Sequence, residues 1–155
     1  GTTSFTAQNS GRQTGYGFEW EWEWQASHAL RLYGNYAAQY STDKMHDADA
    51  SNGPGHHVFV GVEWGVAPHW RWNTQVNWVA DRKREPGDTR PEIKDYTTVD
   101  MTLRYKEKQQ PWQAALAVRN VFDADAREPS PAPGHVPNDF PLPGRSVFVE
   151  VERRF

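Results

Sequence analysis

Histidine and aspartate residues gather around residues 46–57 in a pattern that could hold a metal ion. The group consists of His46, Asp47, Asp49, His56 and His57. Imidazole and carboxylate groups are ligands for transition metals. His56 and His57 are adjacent, however, and adjacent residues of a strand point to opposite faces. We therefore interpret the group as solvated loop and strand positions, and we predict neither a metal site nor a cofactor.

Three glutamates, Glu19, Glu21 and Glu23, occur at every second position. Paired carboxylates carry out acid–base chemistry in glycosidases. Three acids on one face of a strand, facing the basic Arg31, are instead typical of a polar wall. The other side chains predicted on this wall are Asp100, Arg104, Arg119 and Glu150. No nucleophile motif or phosphate-binding loop accompanies them, so we predict no catalytic residues and no enzyme activity.

The basic run Arg82-Lys83-Arg84 follows directly on a Trp-rich strand. Guanidinium and ammonium groups attract phosphate groups and anionic chelates. Because the run begins a long polar segment, we predict that it contacts lipopolysaccharide phosphates or an anionic ligand.

Alternating apolar and polar residues define the elements that would position these groups. The chain has 155 residues, a net charge of −3 and no cysteine. It contains no apolar run of the roughly 18 residues that a transmembrane helix needs. The alternation predicts about seven β-strands instead. They cover approximately residues 15–25, 30–40, 56–66, 70–80, 96–106, 112–122 and 145–155.

The predicted strands are joined alternately by short turns and long loops. The long loops are residues 41–55, 81–95 and 123–144. Outer-membrane β-barrels show this order because their periplasmic turns are short and their extracellular loops are long. Strands of about 10 residues also have the length that crosses a bilayer at roughly 45° tilt. We therefore predict an all-β fold, an antiparallel up-and-down transmembrane β-barrel segment.

The first two strands form a predicted hairpin with a definite register. Pairing them around a short turn would set Trp20 opposite Gly34 and Glu23 opposite Arg31. An aromatic ring over a strand glycine and a cross-strand ion pair both stabilise such a ribbon.

Aromatic residues are predicted near the strand ends and aliphatic residues near the strand centres. In the second hairpin this arrangement sets Trp64 opposite Trp72 and Val60 opposite Val76. Aromatic belts around an aliphatic band mark the two interfaces of a membrane protein. The predicted girdle comprises Trp22, Trp24, Trp64, Trp70, Trp72, Trp78 and Trp112.

The last eleven residues alternate and end on an aromatic residue. Val147, Val149, Val151 and Phe155 share one face of this closing strand. The end of a soluble chain tends to fray, whereas an outer-membrane barrel closes with a lipid-facing aromatic at the interface. Val151 and Phe155 are therefore predicted to form a signal for barrel assembly.

Four motifs resemble the C-terminal barrel portion of TonB-dependent outer-membrane receptors. They are Asn9-Ser-Gly-Arg12 with Gly17-Phe-Glu19, Tyr96-Thr-Thr-Val-Asp100, Asn120-Val-Phe-Asp123, and Pro143-Gly-Arg145 with the strand that follows. The family usually places an apolar or aromatic residue where this chain has Arg153. We expect the Arg153 side chain to extend its charge towards the periplasmic interface.

The resemblance implies that residues 1–155 are the C-terminal part of a barrel of about 22 strands, of which this chain supplies about seven. It implies a plug domain and a TonB box that this sequence does not contain. The implied location is the outer membrane of a Gram-negative cell, and the implied activity is uptake of a ferric siderophore or a similar large, scarce nutrient. The implied partners are outer-membrane lipid, lipopolysaccharide, the barrel-assembly machinery, the missing plug and strands, and TonB through that plug. Nucleic acid is not among them.

Two other hypotheses fit parts of the sequence. One is a small complete barrel of about eight strands with a structural or adhesive role, since barrels of that size occur in outer membranes. The other is a soluble β-sandwich that binds carbohydrate through its tryptophans.

Overall fold

The computed structural model describes residues 13–43, 48–49, 53–84, 87–130 and 138–153, and its regular elements in these ranges are β-strands. The long strands are β1 (Gln13–Ser27), β2 (Leu30–Asp43), β4 (Pro54–Ala67), β5 (Trp70–Arg82), β6 (Tyr96–Lys106), β7 (Trp112–Arg119) and β10 (Ser146–Arg153). The short strands are β3 (Ala48–Asp49), β8 (Arg127–Glu128) and β9 (Phe140–Pro141). No helix in this part of the chain is long and apolar enough to cross a membrane.

The seven long strands form one antiparallel sheet in the order β1-β2-β4-β5-β6-β7-β10. Each long strand therefore pairs with its neighbour in the chain, which confirms the predicted all-β, up-and-down segment. β3 pairs with the outer end of β2, and β8 pairs with β9 in a separate ribbon. Within the described ranges, β1 and β10 are the two edges and do not pair with each other.

The described strands have no second layer and no large apolar core. The buried apolar side chains are few and small: Val79, Ala80, Ile93, Ala115 and Ala126. Each long strand packs along its neighbours in the sheet, and no second sheet covers the aromatic face in the ranges above. The sandwich hypothesis is therefore wrong, because a sandwich buries side chains between two sheets.

The predicted register of the first hairpin is wrong by two residues. A bulge between Gln25 and Ser27 lengthens the β1 side of the turn, and Ser27 pairs with Leu30. The predicted pairing centres the turn on Ser27, whereas the observed turn lies at His28 and Ala29, and this displacement together with the one-residue bulge moves every pair by two residues. Trp22, not Trp20, consequently lies opposite Gly34. A Cβ atom added to Gly34 would lie 3.1 Å from the Trp22 ring. An aromatic ring therefore covers Gly34 as predicted, but the ring belongs to Trp22, two residues after Trp20.

The predicted register of the second hairpin is confirmed. Trp64 pairs with Trp72, and Val60 pairs with Val76. This hairpin contains a bulge at the equivalent place, beside the turn and between Trp64 and Ala67. The sheet thus has one aromatic and aliphatic face and one polar face, because successive side chains of a strand alternate.

Candidate functional site

All eight tryptophans lie on the apolar face of the sheet. The cross-strand pairs place Trp20, Trp22 and Trp24 on the same side as Leu32 and the valines of β4. Trp24 is 62% exposed, and Trp64, Trp70 and Trp112 are also exposed. A water-soluble protein rarely presents so large an apolar surface. The predicted girdle residues therefore share the face that lipid would cover.

Two polar groups on this face have partners nearby. The indole nitrogen of Trp72 donates to the Thr74 hydroxyl at 2.7 Å. Arg153 stacks its guanidinium over the Trp112 ring, 5.2 Å from the ring centre. This contact keeps the arginine at the end of β10, as expected for a side chain that reaches an interface. Val151 is exposed on the same face, whereas Phe155 lies outside the described residues.

The polar face forms the predicted wall, and Arg31 is its best-paired cation. Arg31 donates to both carboxylate oxygens of Glu63, with Nη2–Oε1 at 2.7 Å. Its Nη1 also lies 3.4 Å from Glu23, diagonally across from it. The ion pair predicted between Glu23 and Arg31 therefore exists, although Tyr33 is the residue directly opposite Glu23. Glu63 is the closer partner of Arg31. The sequence alone could not predict this pair, because it depends on β4 lying beside β2.

Of the remaining wall residues, Asp100 and Arg119 form a pair, whereas the others do not pair with one another in the described ranges. Asp100 accepts hydrogen bonds from Arg119 at 2.7 Å and from the Asn120 amide at 2.8 Å. Glu19 and Glu21 project from the edge strand β1 and make no ion pair within the described part of the chain. Arg104 and Glu150 point to the same face, on either side of Ala115, and are not within ion-pair distance of each other.

The histidines do not come together in the described residues. His56 lies on the apolar face, where its Nδ1 is 2.9 Å from the Tyr36 hydroxyl and its ring stacks near Trp78. His57 faces the polar side and lies 2.5 Å from the Asn77 side-chain oxygen. No group of three potential ligands occurs within the described ranges. His46, Asp47 and the side chain of Asp49 lie outside them.

Arg82 is a buried anchor for two outer loops. The second outer loop is residues 83–95, and the third is residues 120–145. The Arg82 side chain is only 2% exposed and donates to the main-chain oxygens of Lys94 in the second loop and Arg127 in the third. Its guanidinium also lies over the Tyr96 ring, 4.7 Å from the centre. Arg82 thus holds both loops against the end of β5.

Arg84 joins the same two loops through Asp139. Its two terminal nitrogens donate to the two Asp139 oxygens, each at 2.7 Å, and its Nε donates to the Pro91 carbonyl at 2.7 Å. Both side chains of the pair are about nine-tenths buried. Bidentate pairs of this kind are among the stronger hydrogen-bonded contacts in proteins. The Arg84 guanidinium and the amide of Ser130 hold the pKa of Asp139 well below its usual range.

Arg90 completes this loop clasp, which we define as Arg84, Asp88, Arg90, Ser130 and Asp139. Arg90 pairs with Asp88, donates to the Ser130 hydroxyl at 2.7 Å and lies 3.6 Å from Asp139. Hydrogen bonds from Arg90 lower the pKa of Asp88 to about 2. Because the residues come from both outer loops, the clasp joins these loops into one unit.

The three residues of the predicted anion-binding run therefore have different surroundings. Arg82 and Arg84 are already bonded to the protein, and only Lys83 is substantially exposed, at 2.8 Å from Asp81. Contact of this run with an anion outside the chain stays a prediction. Lys83 is the residue of the run whose side chain such an anion would reach most easily.

The motif Asn120-Val-Phe-Asp123 forms the turn that leaves β7. Asn120 and Asp123 both have positive φ, and the Asp123 amide donates to the Asn120 carbonyl at 2.9 Å. Asn tolerates this backbone region better than most residues, and so does Asp. The Asn120 side chain bonds Ala124 in both directions, and Asp123 accepts from the Arg145 amide at the start of β10. The motif thus fixes both ends of the third outer loop.

A family model described as "TonB dependent receptor-like, beta-barrel" matches residues 1–121. The chain belongs to this family. Barrels of this family are outer-membrane transport proteins rather than enzymes. No curated protein matches the sequence.

Solved structures with a similar fold include three such barrels. The ferric-catecholate import receptor Fiu of Escherichia coli K12 matches 94% of this chain with a TM-score of 0.78 and 17% identity. The copper transporter OprC matches 92% with a TM-score of 0.73 and 17% identity. A mutant of the ferric enterobactin receptor PfeA of Pseudomonas aeruginosa matches 90% with a TM-score of 0.72 and 17% identity. The chain spans 21%, 24% and 22% of these proteins respectively, so the likeness shows the fold of a barrel portion.

Proposed function

We propose that this chain is the C-terminal wall and outer-loop segment of a receptor in the outer membrane of a Gram-negative cell. The whole receptor would take up a ferric siderophore or a similar large, scarce nutrient. Family membership and the two-faced sheet support this proposal. The single observation that carries it is the one-sided distribution of tryptophan, since all eight indoles face away from the polar wall.

The contribution of this segment to uptake would be positional. The apolar face would meet lipid, the polar face would line the lumen, and the clasped outer loops would present a fixed surface at the mouth. Lys83, whose amine lies 2.8 Å from Asp81 and whose side chain is 40% exposed, would be one cation of this surface that a lipopolysaccharide phosphate or an anionic chelate contacts.

The partners proposed for the segment follow from the same arrangement. Barrel-assembly machinery would act on the end of β10, lipid and lipopolysaccharide would surround the girdle, and the remaining strands would pair with β1 and β10. A plug domain would occupy the lumen and connect it to TonB. An open sheet cannot remain in a bilayer with unpaired edges, which is why further strands are needed.

Two of the similar structures are ferric receptors and the third is a copper transporter, which favours iron as the cargo. A test would delete the full receptor gene and measure uptake of radiolabelled iron with catecholate, hydroxamate or citrate chelators, beside radiolabelled copper. Loss of uptake for one ferric chelate, restored by the intact gene, is expected. Loss of copper uptake alone would replace the cargo but keep the transport class. Unchanged uptake of all these metals, or absence of the receptor from outer-membrane fractions, would contradict the proposal.

A further inference from the structure

A histidine lies on the apolar face of the sheet, near the outer ends of the strands. His56 of β4 pairs directly with Ala38 of β2 and Ala80 of β5. These two neighbours end in methyl groups and offer the imidazole no polar partner. A polar ring on a face that meets hydrocarbon is costly unless its nitrogens find hydrogen-bond partners.

One imidazole nitrogen is already bonded within the sheet. Nδ1 of His56 lies 2.9 Å from the Tyr36 hydroxyl, and the two ring planes are within 9° of parallel. When the hydroxyl donates to Nδ1, the single proton of the neutral imidazole lies on Nε2. Nε2 has no hydrogen-bond partner in the part of the chain that the structure describes. This nitrogen is therefore a donor without an acceptor.

A second N–H donor without a protein acceptor lies beside it. The ring centres of Trp78 and His56 are 6.3 Å apart, and their planes differ by 15°. An indole nitrogen can only donate, and that of Trp78 makes no hydrogen bond to a described residue. In these ranges the buried side-chain atoms that lack a partner are Asn35 Oδ1 and Arg82 Nε. Both ring nitrogens are consequently accessible from outside the sheet.

The register gives the depth of these donors in the membrane. His56 lies opposite Ala80, which follows Trp70 by ten residues along β5. Strand residues rise about 3.4 Å each, so at a tilt of roughly 45° His56 lies about 24 Å above Trp70. The apolar band of an outer-membrane barrel is about 25 Å tall. His56 is therefore level with the lipid headgroups of the outer leaflet, and Trp78 lies just below it.

Two N–H donors at this level select a ligand that accepts hydrogen bonds. A lipid phosphate has several acceptor oxygens, and its charge makes these bonds stronger than those to a neutral carbonyl. One phosphate can bridge both rings, because its oxygens accept hydrogen bonds about 2.8 Å long from separate directions. Asp81, the acid that follows Ala80 in β5, is paired with Lys83 at 2.8 Å, so its charge is already balanced.

We infer that His56 and Trp78 together bind one phosphate group of an outer-leaflet glycolipid. The inference rests on the proposed function, since it requires this face to meet the outer leaflet of an outer membrane. It adds a specific site for one lipid molecule to a belt that otherwise contacts lipid through apolar surface.

The test measures binding of lipid A to the full receptor in detergent by native mass spectrometry, beside lipid A whose phosphates have been removed. The receptor should bind the phosphorylated form more tightly. His56→Phe and Trp78→Phe each keep an aromatic ring and remove one N–H donor. Their combination should lower the affinity for phosphorylated lipid A by about tenfold, and it should leave the affinity for the dephosphorylated form unchanged.

The adjacent histidine provides a matched control. His57 lies at the same depth, but its ring is on the polar face, 2.5 Å from the Asn77 side-chain oxygen. His57→Phe makes the same chemical change one residue along the strand, on the side that lipid does not reach. It should leave the affinity for both forms of lipid A unchanged.

Several outcomes would overturn the inference. They are equal affinity of the receptor for both forms, an unchanged affinity in the double variant, or an equal loss in His57→Phe. Displacement of lipid A by inorganic phosphate at the same concentration would also overturn it, because the bound group would then be a free anion. Heat-modifiable migration shows whether each variant is assembled.

Uptake by the same receptor separates this inference from the proposed function. An assembled receptor that transports its nutrient but shows no preference for the phosphorylated lipid refutes the lipid site alone. A receptor that is absent from outer-membrane fractions refutes the proposed function instead.

Discussion

Tyr33 covers Gly61 on the polar wall at a distance that excludes any side chain. A Cβ atom added to Gly61 would clash with the Tyr33 ring, with the Cζ atom of Tyr33 nearest to it. We predict that Gly61→Ala destabilises the barrel by roughly 1–3 kcal/mol, because the ring must move out of its present position. Urea unfolding of the full receptor in detergent, followed by gel migration, measures the change.

Gly65 in the same strand is the matched control. Its added Cβ would meet Ala29 at 3.6 Å, which is an ordinary contact. Gly65→Ala should therefore have little effect, and adding Tyr33→Ala to Gly61→Ala should abolish the clash. Equal stability losses for Gly61→Ala and Gly65→Ala would show that the ring cover does not matter.

Asp139 is the residue on which the loop clasp depends most. Its side chain is only 10% exposed and binds Arg84 through both oxygens. Asp139→Asn removes the charge that holds two guanidiniums, at a local cost of roughly 1.5–3 kcal/mol. Spin labels at exposed Glu92 and Phe140 should then show a broader distance distribution between the second and third outer loops.

Asp125 provides the control for this change. Its carboxylate pairs with Arg127 in the same loop, but its side chain is 73% exposed. Asp125→Asn should leave the distance distribution unchanged, because exposed ion pairs contribute little. An unchanged distribution in Asp139→Asn as well would mean that the clasp does not hold the loops together.

The clasp should also resist mild acid. The pKa of Asp88 is lowered to about 2, and the pKa of Asp139 is lowered further in the same direction. A lowered pKa in the folded state gives stability that is complete above the unfolded value near 3.9 and is lost as pH falls through the folded value. The same spin-label distance should thus stay constant from pH 7 to about pH 4 and change only near pH 2. Opening at pH 5 would contradict these contacts.

At the scale of the strand, β4 should respond to charge on one face only. Val60 lies at the centre of the apolar face, paired with Val76. Val60→Arg should destabilise the barrel by about 2–4 kcal/mol if this face meets the bilayer midplane. Unfolding by urea in lipid vesicles measures the loss.

Gln75 lies at the same depth on the polar face, opposite Asp100. Gln75→Arg places the same charge beside a carboxylate and should be nearly neutral. If both arginines are equally tolerated, the assignment of the two faces is incorrect.

Strand number, strand order and the second hairpin could be predicted from sequence because alternation and turn spacing are local signals. Trp64 and Trp72 pair as predicted. The predicted register of the first hairpin was wrong because the predicted pairing centres the turn on Ser27, whereas the turn lies at His28 and Ala29. An alternating pattern of apolar and polar residues shows neither the exact residues of a turn nor the position of a bulge beside it.

The site residues show the same limit more strongly. The polar wall was predictable because Glu19, Glu21 and Glu23 share a strand face. The pairing of Arg84 with Asp139 was not, since the two residues are separated by 55 positions and meet through loops without periodicity. The motif Asn120-Val-Phe-Asp123 was visible, but its role in fixing β10 depends on the amide of Arg145.

At the scale of the whole molecule, the described residues form no core that could stabilise the sheet by itself. The described residues bury no large side chain completely, while tryptophan, tyrosine and valine side chains are exposed on one face. Hydrocarbon around that face would replace the second layer that a soluble protein uses.

Spin-label accessibility along β4 tests this claim most directly. Because the segment contains no cysteine, single labels can be placed at His57, Val58, Phe59, Val60 and Val62 of the full receptor in vesicles, after removal of any cysteine elsewhere. Collisions with oxygen, which concentrates in lipid, should peak at Val58, Val60 and Val62, and a water-soluble nickel chelate should hardly reach them. Nickel access at Val60 equal to that at exposed Lys83, or oxygen access without a period of two, would contradict the account.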